Sequence, residues 1–160
     1  MRKFFIFVAF ILCFIMVGFC KYDAVNFSLE ECANPKYYFY VSLNNAEQVS
    51  DSHYIKNGEG GIIALNQNEL ELLDSFDINK IYGKSIEFEA DEQQYSDFLQ
   101  RTNFKMVKTE IFDSFSTIYG FNEGFGESVS LYGEEVNIQI AKRGNIVCVG
   151  FPLILGSYWF

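Results

Sequence analysis

The chain contains one histidine, His53, so any Ser–His–Asp or Cys–His nucleophilic arrangement would have to use it. It lies in the polar segment Asp51-Ser52-His53-Tyr54, which lacks the strand-to-helix turn that presents a nucleophile. The context favours an exposed loop histidine. The sequence therefore predicts no catalytic residue.

Metal-binding chemistry is also poorly provided for. One histidine and scattered cysteines do not give the paired spacing of a zinc site. The acids Glu87, Glu89, Asp91 and Glu92 do not follow the alternation of a calcium-binding EF-hand loop. Glu87 and Glu89 are better interpreted as the solvent face of a strand, and Asp91 as a helix cap. We expect no metal and no cofactor.

Two further segments could contact a ligand or partner. The run Gly120–Glu127 is glycine-rich and acidic, so it would repel phosphate, but Phe121 and Phe125 could touch a partner if the loop is flexible. A simple join between strands is the commoner role. The run Gly150–Phe160 carries no charge and would be an aggregation hazard if exposed. We expect it to dock on the chain's own sheet, with a partner-binding tail as the alternative.

The first twenty residues have the pattern of an export signal. Arg2 and Lys3 are followed by seventeen uncharged residues, Phe4–Cys20. That length lies between a signal peptide and a membrane-spanning helix. Cleavage before Lys21 is the first expectation, an uncleaved membrane anchor the second, and lipidation of Cys20 the third. The predicted location is extracytoplasmic, either secreted or tethered to the outer face of the cytoplasmic membrane.

Charge narrows the range of partners. Ten basic and 21 acidic residues follow position 20, which gives this part a net charge of −11 with histidine neutral. Such a field repels nucleic acid and anionic lipid, so neither is expected as a partner. Any membrane contact would be made through residues 1–20, if they are retained. In an oxidising compartment Cys32 and Cys148 could form a disulfide, although Cys148 would be equally natural as a buried thiol.

The hydrophobic pattern predicts a single α+β domain over residues 37–160, after a linker at residues 21–36. Two helices are marked by capping residues, at Asn66–Glu69 and at Asp91–Gln94. The first would bury Leu65, Leu72, Leu73 and Phe76, and the second Tyr95, Phe98 and Leu99. Alternating segments predict strands at 37–43, 61–65, 85–89, 104–112, 115–121, 128–132, 136–141 and 146–149. The expected architecture is a curved antiparallel sheet with two short helices packed on one face.

The second half of the chain resembles the YwmB-like secreted proteins of endospore-forming Gram-positive bacteria. The resemblance rests on Ser85–Phe88, a helix ending at Phe98-Leu99, Glu110–Phe121, Val136–Ala141 and Val149–Ile154. It implies a fold similar to the TATA-box-binding protein, a curved antiparallel sheet with helices on one side, and a role in sporulation. It carries no catalytic residue, and the acidity and export signal argue against DNA binding.

These observations predict an exported, non-enzymatic domain that binds a protein or a cell-envelope component. The alternative is a hydrolase of envelope polymers, which would need two apposed carboxylates. A third hypothesis is a structural domain tethered by an uncleaved anchor. The 21 acidic residues can be paired in many ways, so the sequence does not name a catalytic pair.

Overall fold

A computed structural model describes residues 33–44, 52–57 and 60–154. The predicted export segment and most of the predicted linker lie outside these residues. Within these ranges there are ten strands and one α-helix, α1 (Glu92–Thr102), together with 3-10 helices at Gln67–Ser75 and Glu123–Phe125. The strands are β1 (Ala33–Leu43), β2 (Tyr54–Asn57), β3 (Gly60–Asn66), β4 (Ile78–Glu89), β5 (Lys105–Ile111), β6 (Ser116–Phe121), β7 (Val129–Leu131), β8 (Glu134–Val136), β9 (Ile138–Arg143) and β10 (Ile146–Phe151).

Eight strands form one antiparallel sheet in the order β2-β3-β1-β4-β10-β9-β6-β5, and β7 pairs with β8 in a separate hairpin. This confirms the predicted α+β class. β1 begins at Ala33, so the last four residues of the predicted linker belong to the sheet. Between the predicted strands at 37–43 and 61–65 the structure has a further strand, β2, that the pattern did not reveal. Four residues are too few to show an alternation, and β2 depends on pairing with β3.

The side of the sheet that α1 covers, here called the helix face, carries the main core. Ile86, Val149, Ile140 and Ile118 lie directly opposite one another on four adjacent strands, so they share this face. Phe98 of α1, 7% exposed, packs its ring edge-on against Phe88, with the two centroids 5.4 Å apart.

The sequence places α1 correctly. Asp91 accepts a hydrogen bond from the Gln94 backbone N–H, and the Gln94 side chain accepts one from the Asp91 N–H. Tyr95 and Leu99 pack against the same core as Phe98, which confirms the predicted apolar stripe. None of the helices in the described part of the chain is long and apolar enough to span a membrane.

The first predicted helix is a 3-10 helix, and its buried residues differ from those expected. Leu70, Leu73 and Phe76 pack against a second core that includes Ile63 and Leu65. The prediction for Leu72, now 41% exposed, was wrong. A 3-10 helix has three residues per turn, so residues 70, 73 and 76 align, whereas α-helical spacing would have brought Leu72 inward.

The C-terminal segment folds back over the opposite face of the sheet. A Cβ atom at Gly150 would overlap the backbone of Leu153 and Ile154, so only glycine permits this close approach. The Ile154 N–H donates to Gln139 Oε1 at 2.9 Å, and its buried side chain packs with Ala141 and Cys148. Docking on the chain's own sheet is thus confirmed for residues 151–154. Residues 155–160 lie outside the described part.

Candidate functional site

His53 lies in the turn before β2, but it is not the exposed residue that its polar context predicted. Its side chain is half-buried, with Nε2 3.7 Å from Glu69 Oε1. Glu69 also accepts a hydrogen bond from the Asn66 backbone N–H, and this bond is the main reason that the Glu69 pKa lies below its usual value. The histidine therefore faces the carboxylate that begins the first 3-10 helix, which is a structural arrangement.

The acids considered as metal ligands are separated by the fold. Asp91 caps α1 as predicted, and Glu92 pairs with Lys142 at 2.6 Å. Glu87 is half-buried beside Cys148, whereas Glu89, two residues further along the same face, is exposed as predicted. Burial, and then the Glu87 charge, raise the pKa of that thiol to about 12. Within residues 33–44, 52–57 and 60–154, no cluster of three or more His, Cys, Asp or Glu could hold a metal ion.

Cys148 is a free, buried thiol in this structure. Cys32 lies outside the described residues.

The glycine-rich loop after β6 is held in place by two asparagines. Asn122 donates to the backbone carbonyls of Thr102 and Asn103, and it exchanges two side-chain–backbone hydrogen bonds with buried Asn137. Phe125 packs edge-on against Phe151, with centroids 5.4 Å apart. Phe125 is thus partly buried against the main core, which agrees with the expected role of this segment as a join between strands.

The structure gathers a polar cluster that the sequence did not single out, formed by Lys108 and Glu110 of β5, Tyr119 of β6 and Tyr132 of the β7–β8 turn. Lys108 Nζ lies 2.6 Å from Glu110 Oε1. The Tyr132 hydroxyl donates to that same oxygen at 3.2 Å, and the Tyr119 hydroxyl donates to Oε2 at 3.2 Å. We call these four residues the Glu110 cluster.

Electrostatics keep the Glu110 cluster in a single charge state near neutral pH. The hydrogen bond from Lys108 is the main reason that the Glu110 pKa lies below its usual value, and the same bond raises the pKa of Lys108. Burial, followed by the charge and hydrogen bond of Tyr132, raises the pKa of Tyr119, so its hydroxyl stays protonated. An ionised carboxylate with three donors is unsuited to act as a general acid. The arrangement is better suited to recognition.

Tyr132 is the exposed member of the Glu110 cluster and is held from several sides. Lys108 Nζ lies 3.7 Å from the centroid of its ring, and the Tyr119 ring meets it edge-on at 5.5 Å. Tyr132 and Gly133 both have positive φ, 57° and 79°, as a two-residue type I′ hairpin turn requires. A bulky residue is uncommon in this conformation, which costs backbone energy. Tyr132 remains 52% exposed.

Apolar side chains lie exposed along β5 beside this cluster. Met106 is 56% and Ile111 82% exposed, and Phe112, which follows the strand, is stacked on Phe115 at 4.4 Å. Thr109 pairs with Ile118 and Ile111 with Ser116, so Thr109 and Ile111 lie on the helix face. Lys108 and Glu110 lie on the opposite face. One signal for the cluster was present in the sequence, because a predicted β5–β6 hairpin places Lys108 opposite Tyr119.

No protein-family model matches this chain, and no curated protein is significantly similar to it.

Proposed function

We propose that the chain is an exported, non-enzymatic domain that binds a protein or a cell-envelope component, and that Tyr132 anchors the contact. The observation that carries this proposal is an exposed aromatic ring held by a carboxylate, an ammonium group and a second ring. Tyrosine is enriched among the residues that dominate binding energies, because it combines a large apolar surface with a hydroxyl.

Preorganisation strengthens the case for Tyr132. A side chain that becomes ordered only on binding loses roughly 0.5–1.5 kcal/mol of conformational freedom. The contacts of Tyr132 have already restricted its ring, so little of this loss remains. Its positive φ of 57° adds to the argument, since backbone strain concentrates at binding sites.

The charges around Tyr132 indicate what kind of partner surface would fit this site. Lys108 and Glu110 neutralise each other, whereas Glu134 and Glu135 next to the turn are exposed. Lys105 pairs with Glu134 at 3.4 Å, which leaves the hairpin acidic on balance. A neutral or basic protein or polymer surface suits it, whereas nucleic acid and anionic lipid are repelled by the acidic chain.

The proposal has two further parts, export and membership of the YwmB-like family, and both rest on the sequence. The basic n-region and the apolar run support export through residues 1–20. The motifs between Ser85 and Ile154 support a YwmB-like domain with a curved sheet of the TATA-box-binding-protein kind, in a sporulating cell. Fusing residues 1–36 to a reporter that is active only outside the cytoplasm should give activity. A silent fusion would contradict export.

The binding proposal is tested by photo-cross-linking in the producing cells from a benzoylphenylalanine placed at position 132. The matched control is position 82, because Tyr82 is 53% exposed and also lies near a lysine, with Lys80 Nζ 5.0 Å from its ring centroid. We expect adducts from position 132 and none from position 82. Equal labelling from both positions would contradict a specific contact at Tyr132.

A pelleting assay with purified peptidoglycan sacculi separates the two kinds of partner. If the envelope polymer is the partner, wild-type chain pellets with the sacculi, Tyr132→Ala remains in solution, and Tyr82→Ala pellets like wild type. A protein partner predicts no pelleting and adducts of discrete mass. The same assay examines the hydrolase alternative, because a fall in the turbidity of the sacculi would contradict a non-enzymatic role.

A further inference from the structure

The sequence around β5 is self-complementary when read in both directions from Thr109. Residues 105–113 read Lys-Met-Val-Lys-Thr-Glu-Ile-Phe-Asp. On either side of Thr109, Lys108 mirrors Glu110 and Val107 mirrors Ile111. Further out, Met106 mirrors Phe112 and Lys105 mirrors Asp113. Each basic residue is thus matched by an acidic one, and each apolar residue by another apolar one.

The fold places this segment at the edge of the sheet. β5 is the last strand in the sheet order, with β6 on one side and no other described strand on its outer side. Along Lys108–Ile111 the side chains alternate regularly, because these four residues pair in sequence with Tyr119–Ser116. Edge strands with free backbone groups are templates for pairing with another chain.

We propose that β5 pairs antiparallel with β5 of a second copy of this chain, around a two-fold axis at Thr109, so that two eight-stranded sheets join into one. In this register Lys108 of each copy lies opposite Glu110 of the other, on the face that already holds the Glu110 cluster. On the helix face the two Thr109 side chains meet at the axis, with the exposed Ile111 of each copy beside them. Opposite charges, threonine pairs and apolar pairs each stabilise facing strands.

Charge complementarity selects this register. In an antiparallel pair, directly opposed residues share a face of the sheet. The two-fold axis must therefore pass midway between the two copies of one residue, because any register centred between two neighbouring residues would oppose side chains that lie on different faces. An axis at Lys108 or Glu110 would place like charges opposite each other, which is unfavourable. Moving the axis to Val107 would place Lys108 and Glu110 opposite apolar residues. Only the axis at Thr109 pairs both charges with their opposites.

The same features exclude other strands. Lysines and β-bulges protect edges from unwanted pairing, and β5 has both, with Lys105, Lys108 and a register shift between Met106 and Lys108. The shift, at Val107, interrupts the regular alternation between Lys105–Met106 and Lys108–Ile111, which makes the interface small. A foreign strand would meet these charges unmatched, whereas a second copy supplies the matching acids. Specificity of this kind comes from repulsion of wrong partners as well as attraction of the right one.

The decisive experiment places a charge on the axis itself. In Thr109→Glu and Thr109→Lys the two copies present like charges to each other, so each variant alone should dimerise more weakly than wild type. An equimolar mixture of the two variants should form a heterodimer. Thr109 is exposed on the helix face, and Met106 Sδ is the acceptor of its hydroxyl at 3.2 Å, so both variants should fold. The matched controls are Ser96→Glu and Ser96→Lys, on the exposed side of α1.

Sedimentation equilibrium of the full chain purified from the producing cells, over roughly 1 µM to 1 mM, measures the association. We expect wild type and the Ser96 variants to dimerise equally. Each Thr109 variant should dimerise at least tenfold more weakly, and the mixture should recover wild-type behaviour. A monomeric wild type over this range would overturn the proposal, and so would Thr109 variants that dimerise like wild type. The inference does not rest on the proposed function, and the two can fail separately. Because Tyr132 contacts Lys108 and Glu110 of β5, a cross-linked product from position 132 with the mass of two copies of this chain would report the dimer, whereas a product of any other mass would report a different partner.

Discussion

The two edges of the sheet end in different ways. β2, at one edge, is four residues long, and the Tyr54 ring closes over the neighbouring Gly61. β5, at the other edge, is seven residues long and exposes Met106 and Ile111. A short edge offers few backbone groups to another chain, whereas the β5 edge offers enough to form a ladder.

This difference shows that an edge can be protected either by length or by charge. β2 is too short to add a strand stably, so its sequence needs no further safeguard. β5 is long enough, and its charges are arranged so that only a mirrored sequence matches them. An interface of this kind does not appear as a large apolar patch, and a search for such patches alone would overlook it.

The largest expected effect contrasts the cores behind the two edges. Phe98→Ala, behind the β5 half, should lower the free energy of unfolding by about 3–5 kcal/mol, because it deletes a buried aromatic ring. Leu73→Ala, behind the β2 half, should cost about 1 kcal/mol, because the 3-10 helix leaves that side chain half-buried. Urea unfolding measures both. Equal losses would mean that the two halves are packed alike.

The centre of the sheet provides the reference between the two edges. Ile154→Ala should cost about 2–4 kcal/mol, because this side chain is buried with Ala141 and Cys148 on the opposite face. Leu153→Ala is the neighbouring control and should cost less, since Leu153 is only half-buried. If thermal unfolding shows no loss for Ile154→Ala, the C-terminal segment does not hold the sheet.

Two glycines beneath aromatic rings, Gly61 in β3 and Gly120 in β6, test how tightly the strands next to each edge are packed. A Cβ at Gly120 would overlap the Phe104 ring and lie 3.1 Å from the Lys105 carbonyl oxygen, whereas the three atoms nearest to a Cβ at Gly61 all belong to the Tyr54 side chain. Gly120→Ala should therefore cost about 2–3 kcal/mol and Gly61→Ala about 1 kcal/mol. Denaturant midpoints measure both, and the reverse order would show that the β2 edge is the more tightly packed.

The smallest effect is a pH dependence at the β5 edge. The Glu110 pKa in the folded chain lies below its ordinary value of 4.5, mainly because of the Lys108 hydrogen bond. Its contribution to stability is therefore present above that ordinary value and lost as pH falls through the folded-state pKa. Glu110→Gln should therefore reduce the loss of stability that accompanies acidification below the ordinary carboxyl pKa of 4.5. The control is Glu127→Gln, at an exposed position, which should lose stability on acidification more steeply than Glu110→Gln.

Local signals were sufficient to predict part of the fold. α1 has a capping box and one apolar stripe, and the hairpin of β9 and β10 alternates cleanly around Gly144-Asn145. In these elements the information lies within about a dozen residues. In the first helix Leu65, Leu73 and Phe76 lie inward as predicted, and only Leu72 was wrong. Capping residues mark where a helix begins but do not distinguish 3-10 from α geometry, so the spacing of the inward residues could not be predicted.

The candidate site could not be predicted to the same extent, because it depends on contacts between distant segments. Tyr132 reaches Glu110 across 22 positions only because the β7–β8 hairpin folds against β5. The predicted β5–β6 register gives the pairing of Lys108 with Tyr119, but no local pattern gives the position of that second hairpin. The mirrored charges around Thr109 are legible in the sequence, but they acquire meaning only once β5 is known to be an edge.

At the turn Tyr132-Gly133, the residue that favours folding differs from the residue that favours binding. At a positive φ in a type I′ turn, asparagine would be the better residue, so Tyr132→Asn should raise the hairpin's own stability while removing the exposed ring. Selection for thermal tolerance alone would favour asparagine, and selection for binding would retain tyrosine. Which residue occupies position 132 therefore depends on whether selection for stability or selection for binding was the stronger.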